Sequence, residues 1–391
     1  MRIARFEASR MKIAIFNRIF SKKAGGAERY SVALVEELAA KHDIHVFAQE
    51  INHSWPDVTY HRISAPLKRF RWLNQLWYAT ATWWATRTGF NVVHSHENTW
   101  HGNVQTVHVL PIKHNFFNGK TGWKRAAAYL KVFTSPRLMA YLALEKGRYS
   151  FQKNKQIIVT SPSLLNIFNN SYPNCGNAIS VITPGVSKAT TAFDKTAAIR
   201  ELNLNTKLAE NSFVIAFVGN RYEIKGLPTL LLAIQPLPEY VHLLVVGNNE
   251  EISRFEQQVI ALNISKRVHF LGTIDDVSKV YQAADCLAHP TLEDTFAMVV
   301  LEAMSYGLPV VVSQEKYCGI AGLLTDQFNA LVLENPKDAA LLGKLLLSIV
   351  SDAELREKLS AEALKFAENY TWTRTAQEQE QIYLKVVHSA H

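Results

Sequence analysis

The feature that most constrains the fold is a repeating alternation of short apolar runs and longer helix-like stretches. MKIAIFN at 11–17 has the pattern of a buried strand, a loop leads into the helical pattern YSVALVEELAAKH, and the strand-like IHVFAQ follows at 44–49. Short apolar runs of this kind are typical of strands that are covered on both faces. The β-loop-α-β order predicts the beginning of a doubly wound α/β sheet.

The alternation comes in two sets, which indicates two domains. After about residue 187 the pattern starts again, and a chain of 391 residues is long enough for two hydrophobic cores. The further strand candidates are 91–96, 156–161 and 178–185 in the first set, and 213–220, 242–248, 267–272, 285–290 and 308–313 in the second.

We therefore predict Rossmann-like domains over 11–186 and 187–371, followed by a C-terminal helical segment, 372–391. Residues 1–10 precede the first strand pattern and are expected to be an extension outside the fold. Ligands of such sheets bind beyond the carboxyl ends of the strands.

Charge is distributed unevenly between the two halves. Residues 1–185 hold 24 Lys and Arg against 9 Asp and Glu, a net charge of +15, while the remainder holds 18 against 25, a net charge of −7. The first half is thus expected to face an anionic partner. Two segments in it, 65–90 and 113–148, mix Lys and Arg with Trp, Phe and Tyr, which is typical of proteins that lie on an anionic membrane.

Two other interpretations of these segments stay open. Basic clusters with aromatic residues also bind nucleic acids, but the sequence carries no nucleic-acid-binding motif, so we expect no such partner. Alternatively, the tryptophans belong to the core and the cations beside them are simply solvated.

The cysteines and the start of the chain bear on the compartment. Cys175, Cys286 and Cys318 are odd in number and widely spaced, so a reducing, cytosolic setting is the default expectation. The first residues lack the apolar stretch of a signal peptide, and no run of about 18 apolar residues occurs.

Two loops that follow strands contain glycines and cations. Gly25 and Gly26 lie between the first strand and its helix, where a backbone without side chains can approach a ligand and the helix N-terminus favours anions. In FVGNRYEIKGLPTLL, Gly219 ends a strand, and Arg221 and Lys225 occupy the loop that follows. Two cations at a strand end suit a diphosphate. A mere turn and an exposed basic loop are the alternatives.

The stretch TLEDTFAMVVLEAM places acids around an apolar run. A helix over about 295–306 would set Asp294 and Glu302 roughly 12 Å apart along its axis, on one side of the helix. Two acceptors at that spacing suit two ends of a polyhydroxylated ligand better than one metal ion. The amides of Phe296, Ala297 and Met298 would be free at the helix start and could bind phosphate. Asp294 as a simple N-cap is the alternative.

Taken together, these motifs resemble the retaining GT-B glycosyltransferases of family 4. The resemblance runs over nearly the whole chain from Met11 and includes GGAERY, VITPGV at 181–186, VGNRYEIKG, HFLG and AADCLAHPTLEDTFAMVVLEAMSYGLPVV. Within the family the sequence is most similar to bacterial lipopolysaccharide-core glucosyltransferases, partly through LALEKGRY at 142–149. The resemblance implies two Rossmann-like domains that face each other across a cleft, with a C-terminal helix that returns to the first domain.

The resemblance also implies roles for residues of the second domain. In the family's E-x7-E motif the first Glu contacts the transferred sugar and the second binds the nucleotide ribose; Asp294 and Glu302 stand at these positions here. Lys225 matches the diphosphate-binding lysine. The family's arginine position is occupied by Asn220, with Arg221 displaced by one residue.

Three further positions complete the implied site. Phe296 and Ala297 fall where the family has Phe and Gly, and Ala297 thus departs from the pattern. His108, in QTVHVLP, is the closest match to the family's catalytic-site histidine on the first domain, and His94 and His96 are weaker candidates.

The implied activity is metal-independent and cofactor-independent transfer of a hexose, with retention, from a nucleotide sugar, with UDP-sugars favoured. The implied acceptor is a membrane-associated glycan or glycolipid such as lipopolysaccharide core. The expected location is the cytoplasm, peripheral on the cytoplasmic face of the inner membrane. A sugar-nucleotide epimerase or hydrolase on a similar fold, and a non-catalytic glycan- or membrane-binding adaptor, remain the alternatives.

Overall fold

The computed structural model describes residues 10–23, 25–188, 194–204, 207–209 and 211–389. The chain forms two compact units: the first ends at Gly185, the second runs from Val186 to Thr371, and the chain returns to the first unit at Trp372. Of the expected N-terminal extension, only Arg10 lies within the described residues.

The first unit is built on a seven-stranded parallel sheet. Its order is β5-β3-β1-β6-β7-β8-β9, and β2 and β4 form a separate parallel pair. The strands are β1 Lys12–Phe16, β2 Ile19–Phe20, β3 Asp43–Ala48, β4 Glu50–Ile51, β5 Val58–Arg62, β6 Val92–Ser95, β7 Val104–Val107, β8 Gln156–Val159 and β9 Ala178–Val181.

The second unit contains a six-stranded parallel sheet of order β12-β11-β10-β13-β14-β15. Hydrophobic clusters cover both of its faces, and the hexapeptide of β10 is buried throughout. The strands are β10 Phe213–Val218, β11 Val241–Val246, β12 Val268–Gly272, β13 Cys286–His289, β14 Val310–Ser313 and β15 Leu331–Leu333.

Helices flank the two sheets. The helices are α1 Gly26–Ala39, α2 Arg71–Thr86, α3 Ile112–Phe117, α4 Gly122–Phe133, α5 Pro136–Tyr149, α6 Pro162–Ser171, α7 Lys195–Glu201, α8 Leu227–Ile234, α9 Ile252–Ala261, α10 Ser278–Ala283, α11 Met298–Ser305, α12 Ala339–Ser351, α13 Ala353–Glu368 and α14 Trp372–His388. No helix in the described part of the chain is long and apolar enough to cross a membrane.

The C-terminal helix α14 is part of the first unit's core. Ile382 and Tyr383 are buried in the same hydrophobic cluster as Leu34 and Val35 of α1. The Thr375 hydroxyl donates to the Thr183 carbonyl at 3.0 Å, which ties α14 to the segment that follows β9. The last helix therefore completes the first unit rather than extending the second.

Candidate functional site

An ion pair lies beyond the carboxyl ends of two adjacent strands of the second unit, β10 and β13. Lys225 Nζ is 2.5 Å from Asp294 Oδ2 and also donates to the Glu293 carbonyl at 3.2 Å. The two side chains are 20% and 18% exposed, so the pair is partly screened by solvent. Since ligands of parallel sheets bind at this edge, the pair marks the candidate site.

Two glycines let Lys225 reach this position. A Cβ at Gly219 would lie 2.9 Å from Lys225 Cγ, so the lysine stem lies directly over the glycine. Gly226 has φ +84°, and a Cβ there would lie 1.9 Å from the Pro290 carbonyl oxygen. Only glycine permits this backbone approach, which brings the turn after β10 against the loop after β13.

The Asp294 carboxylate has other partners besides Lys225. Its Oδ1 accepts the backbone amides of Phe296 at 3.3 Å and Ala297 at 2.8 Å, and its Oδ2 lies 3.3 Å from His289 Nε2. Burial opposes ionisation, yet the hydrogen bond from His289 and the charge of Lys225 hold the pKa of Asp294 well below its usual range. The carboxylate is therefore ionised throughout the physiological pH range.

His289, the last residue of β13, was not among the predicted site residues. It is fully buried, and burial lowers its pKa against the opposing influence of Asp294, so the imidazole is neutral. A neutral ring that meets a carboxylate through Nε2 donates that proton and leaves Nδ1 as an acceptor. The position of this histidine at the carboxyl end of a strand was the signal in the sequence.

The prediction of free amides at the start of α11 was wrong for Phe296 and Ala297. The helix begins at Met298, not near residue 295, and the amides of Phe296 and Ala297 already donate to Asp294. Ala297 is left-handed, with φ 72° and ψ 68°, which interrupts the helical path. This conformation costs a non-glycine residue roughly 1–2 kcal/mol.

The same change of conformation alters two other expectations. The 12 Å spacing between Asp294 and Glu302 assumed a continuous helix and does not apply. The Phe296 side chain is buried in the core of the second unit, and the Phe296 carbonyl accepts the Ile320 amide at 2.9 Å.

Glu302 lies on α11 and is partly accessible, and the buried Tyr281 of α10 donates its hydroxyl to Glu302 Oε2 at 2.9 Å. This bond fixes the direction of the carboxylate. Tyr281 was missed in the sequence because its contact with a residue 21 positions later depends on the packing of two helices.

Arg221 is exposed at the beginning of the turn that ends in Lys225. Its carbonyl accepts the Lys225 amide at 2.8 Å, so the two cations share one turn. The structure thus places Gly219, Arg221, Lys225 and the 294–298 segment along one edge of one sheet.

The predicted residues of the first unit lie at the corresponding edge of its own sheet. Gly25 precedes α1, Gly26 is its first residue, and both are exposed. A Cβ at Gly25 would lie 2.8 Å from Glu28 Oε2, the mobile end of a side chain, so the backbone there is sterically open.

His108 forms a stacked pair with His96. His96 Nδ1 lies 2.8 Å from His108 Nε2, and the rings are 16° from parallel. Burial, with the charge of Arg148, lowers the pKa of His108 to about 3, and burial lowers that of His96 well below its usual range. His94 is fully buried, with both ring nitrogens hydrogen-bonded inside the protein, which is a structural role.

The tryptophans of the basic segments are largely at the surface. Trp123, on α4, is 76% exposed, and Arg87 stacks over the exposed Trp84 with 4.1 Å between its guanidinium carbon and the ring centroid. The interpretation of these tryptophans as core residues is therefore wrong for several of them. The exposed aromatic residues of the two segments are Phe70, Trp77, Trp83, Trp84, Trp123, Tyr129 and Phe133.

Two family models match the chain. The model described as "Glycosyltransferase Family 4" matches residues 24–189, and the one described as "Glycosyl transferases group 1" matches residues 199–366. Each match covers one of the two units, and together they span most of the sequence.

Curated relatives match over part of their length. The lipopolysaccharide glucosyltransferase WaaG of Escherichia coli K12 is 25% identical over 236 residues, which are 59% of this chain and 63% of that protein. The D-inositol 3-phosphate glycosyltransferase of Corynebacterium efficiens is 28% identical over 218 residues, 52% of this chain and 50% of that protein. The chain thus matches between half and two thirds of the length of these relatives.

Solved structures match over nearly their full length. A crystal structure of WaaG superimposes with a TM-score of 0.77 at 20% identity, covering 95% of this chain and 99% of that one. Anabaena HepE, solved with UDP-glucose, gives a TM-score of 0.72 at 18% identity, covering 95% and 98%. With the two domain models and this shared architecture, the chain belongs to the family 4 glycosyltransferases of the GT-B fold.

Proposed function

We propose that the protein transfers a hexose from a nucleotide sugar, with UDP-sugars favoured, to a membrane-associated glycan or glycolipid acceptor such as lipopolysaccharide core, with retention of configuration. Family membership supports transfer, and a relative named as a lipopolysaccharide glucosyltransferase supports the class of acceptor. Structural neighbours solved with UDP and with UDP-glucose support the donor.

The observation that carries the proposal is the fixed, partly exposed ammonium of Lys225 at a strand end. Transfer leaves a nucleoside diphosphate whose negative charge grows as the glycosidic bond breaks, and a preorganised cation stabilises that charge. Arg221, on the same turn, supplies a second cation. In this proposal the protein's own cations, rather than a metal ion or a cofactor, balance the leaving group.

The other residues have complementary roles in the proposal. The Glu302 carboxylate, oriented by Tyr281, accepts hydrogen bonds from the hydroxyl groups of the ribose. The backbone of Phe296, Ala297 and Met298 borders the donor. Asp294 is the fourth part of the proposed site, where it pairs with the ammonium of Lys225. The second domain is thus proposed to bind the donor.

The first domain is proposed to serve the acceptor. Gly25 and Gly26 provide open backbone at the start of α1. His108 presents a neutral imidazole that bonds to hydroxyl groups without adding charge. The attack is proposed to come from the same face as the departing diphosphate, without a covalent enzyme intermediate.

Product analysis tests this function. The full chain is incubated with UDP-glucose, and with a panel of other nucleotide sugars, in the presence and absence of a lipopolysaccharide-core acceptor. We expect acceptor-dependent release of UDP and a product with the donor's anomeric configuration, read by NMR. Epimer formation or acceptor-independent hydrolysis alone would contradict transfer, and tight donor binding without any turnover would indicate an adaptor.

Membrane association through the first domain is a separate prediction. Lys124, Arg125 and Lys131 are exposed on α4, the helix that also carries the exposed Trp123. Each basic residue near an anionic surface contributes about 1 kcal/mol. Reversing the three charges to glutamate should therefore weaken binding to vesicles that contain anionic lipid by roughly a hundredfold or more, measured by co-sedimentation.

A matched control reverses three exposed lysines of the second unit, Lys337, Lys344 and Lys358, and should bind vesicles far more like the unaltered chain. Binding should also weaken as salt rises, because exposed charges are screened. Equal losses for the two triple variants, or binding that is indifferent to salt and to anionic lipid, would rule out this surface.

A further inference from the structure

The carboxylate of Asp294 has no acceptor position left over. An ionised carboxylate offers about four hydrogen-bonding positions. In this protein four donors occupy them: the amides of Phe296 and Ala297 on Oδ1, and Lys225 Nζ and His289 Nε2 on Oδ2. A sugar hydroxyl could bind Asp294 only by displacing one of these donors.

The backbone of Asp294 is held as firmly as its side chain. Its amide donates to the Tyr317 carbonyl at 2.8 Å, and its carbonyl accepts the Gly319 amide at 2.9 Å, in a parallel bridge with Cys318. Movement of the loop alone therefore does not release the carboxylate. The bonds to the second and third following amides form the local turn that short aspartate side chains favour.

The length of the side chain decides what this position can do. Glutamate places its carboxylate about one methylene farther from the backbone, so it cannot bond the amides of residues 296 and 297 and hold Lys225 and His289 with the same geometry. Aspartate fits the observed arrangement, and glutamate suits an outward contact with a sugar.

We propose that Asp294 is a positioning residue, which fixes the ammonium of Lys225 for the donor's diphosphate, and that it does not contact the transferred sugar. This inference rests on the proposed function of the second domain as the donor site. The family resemblance assigns contact with the transferred sugar to the first acid of the E-x7-E motif. In this chain the acid at that position, Asp294, instead holds Lys225 in place.

The charge-conserving substitution Asp294→Glu separates the two roles. Calorimetric titration of the full chain with UDP and with UDP-glucose should show the same loss of affinity for both, about five- to tenfold, because both ligands carry the diphosphate that Lys225 binds. A sugar-contacting residue behaves in the opposite way: glutamate would leave UDP affinity unchanged within twofold and alter UDP-glucose affinity by fivefold or more. That second result would overturn the proposal.

The effect must also pass through Lys225. In a Lys225→Met background, Asp294→Glu should change UDP affinity by less than twofold, since the group that it positions is gone. A loss of the same size in both backgrounds would show general distortion of the loop and would overturn the positioning role.

Asp352→Glu is the matched control, because Asp352 also bonds a backbone amide, that of Leu355 at 2.9 Å, at the start of α13. Its substitution should lower stability slightly and leave UDP affinity unchanged.

A third measurement keeps this inference separate from the proposed function. If the unaltered chain binds neither UDP nor any other nucleoside diphosphate, the proposed function fails. The contact itself is then tested by urea unfolding of the single variants Asp294→Glu and Lys225→Met and of their combination. A double variant that loses clearly less stability than the two single losses combined supports the coupling. Additive losses contradict it.

Discussion

Replacing Lys225 with methionine is expected to lower kcat/KM for sugar transfer by roughly 10²–10³-fold, because one preorganised charge that stabilises a leaving group contributes about 3–4 kcal/mol. Methionine keeps the unbranched stem that lies over Gly219 and removes the ammonium. The rate is measured as release of UDP from UDP-glucose with acceptor present, at substrate concentrations well below KM.

The substitution also leaves the Asp294 carboxylate without its cation, which destabilises a partly buried site. Folding is therefore followed by thermal unfolding, and the double variant Lys225→Met with Asp294→Asn serves as the control, since it removes both charges. We expect the double variant to regain stability and to remain at least a hundredfold slower than the unaltered chain. Recovery of activity along with stability would mean that Lys225 has only a structural role.

The two parallel sheets were predictable because strands that are buried on both faces have short apolar runs as their sequence pattern. All ten strand candidates correspond to strands of the two sheets. Two of the strands that escaped prediction, β7 and β5, have other patterns. In β7, VQTV, the buried Gln105 and Thr106 bond to Arg148 and His94, so polar residues occupy a central strand. In β5, an edge strand, accessible residues interrupt the apolar pattern.

The candidate site was predictable only in part. Residue spacing and chemistry can be seen in the sequence, whereas the backbone conformation of the site depends on contacts made in the folded protein. Lys225, Asp294 and Glu302 could be selected from spacing and chemistry. The left-handed conformation of Ala297 could not, because nothing in the sequence signals that an alanine adopts it; the turn is imposed by Asp294 and by the packing of Phe296. The consequence was a helix placed three residues too early.

The charge state of the site likewise depends on three-dimensional contacts. His289 and Lys225 come from different strand ends, and they meet at Asp294 only because parallel strands share an edge. The lowered pKa of Asp294 means that its ion pair stabilises the folded protein fully above the pKa of an unfolded aspartate, about 3.9. That contribution is lost as the pH falls toward the folded-state value.

Substitution of Glu302 by glutamine is expected to weaken binding of UDP about 10- to 100-fold, since a hydrogen bond to a charged group contributes about 1.5–3 kcal/mol. Glutamine keeps the size of the side chain, and its carbonyl oxygen can still accept the Tyr281 hydroxyl. The change therefore removes the negative charge offered to the ribose while the packing of α11 is preserved. Affinity is measured by calorimetric titration.

A ligand that lacks the ribose hydroxyls identifies the contact. The unaltered chain should bind 2′,3′-dideoxyuridine diphosphate more weakly than UDP, whereas Glu302→Gln should bind the two ligands with nearly the same affinity. Tyr281→Phe leaves the carboxylate in place and removes only the group that orients it, so the loss of UDP affinity should be smaller, about fivefold, or about 1 kcal/mol. If Glu302→Gln kept the full preference for UDP over the dideoxy ligand, the ribose would have to be bound elsewhere, and the proposed donor site would lose its second anchor beside Lys225.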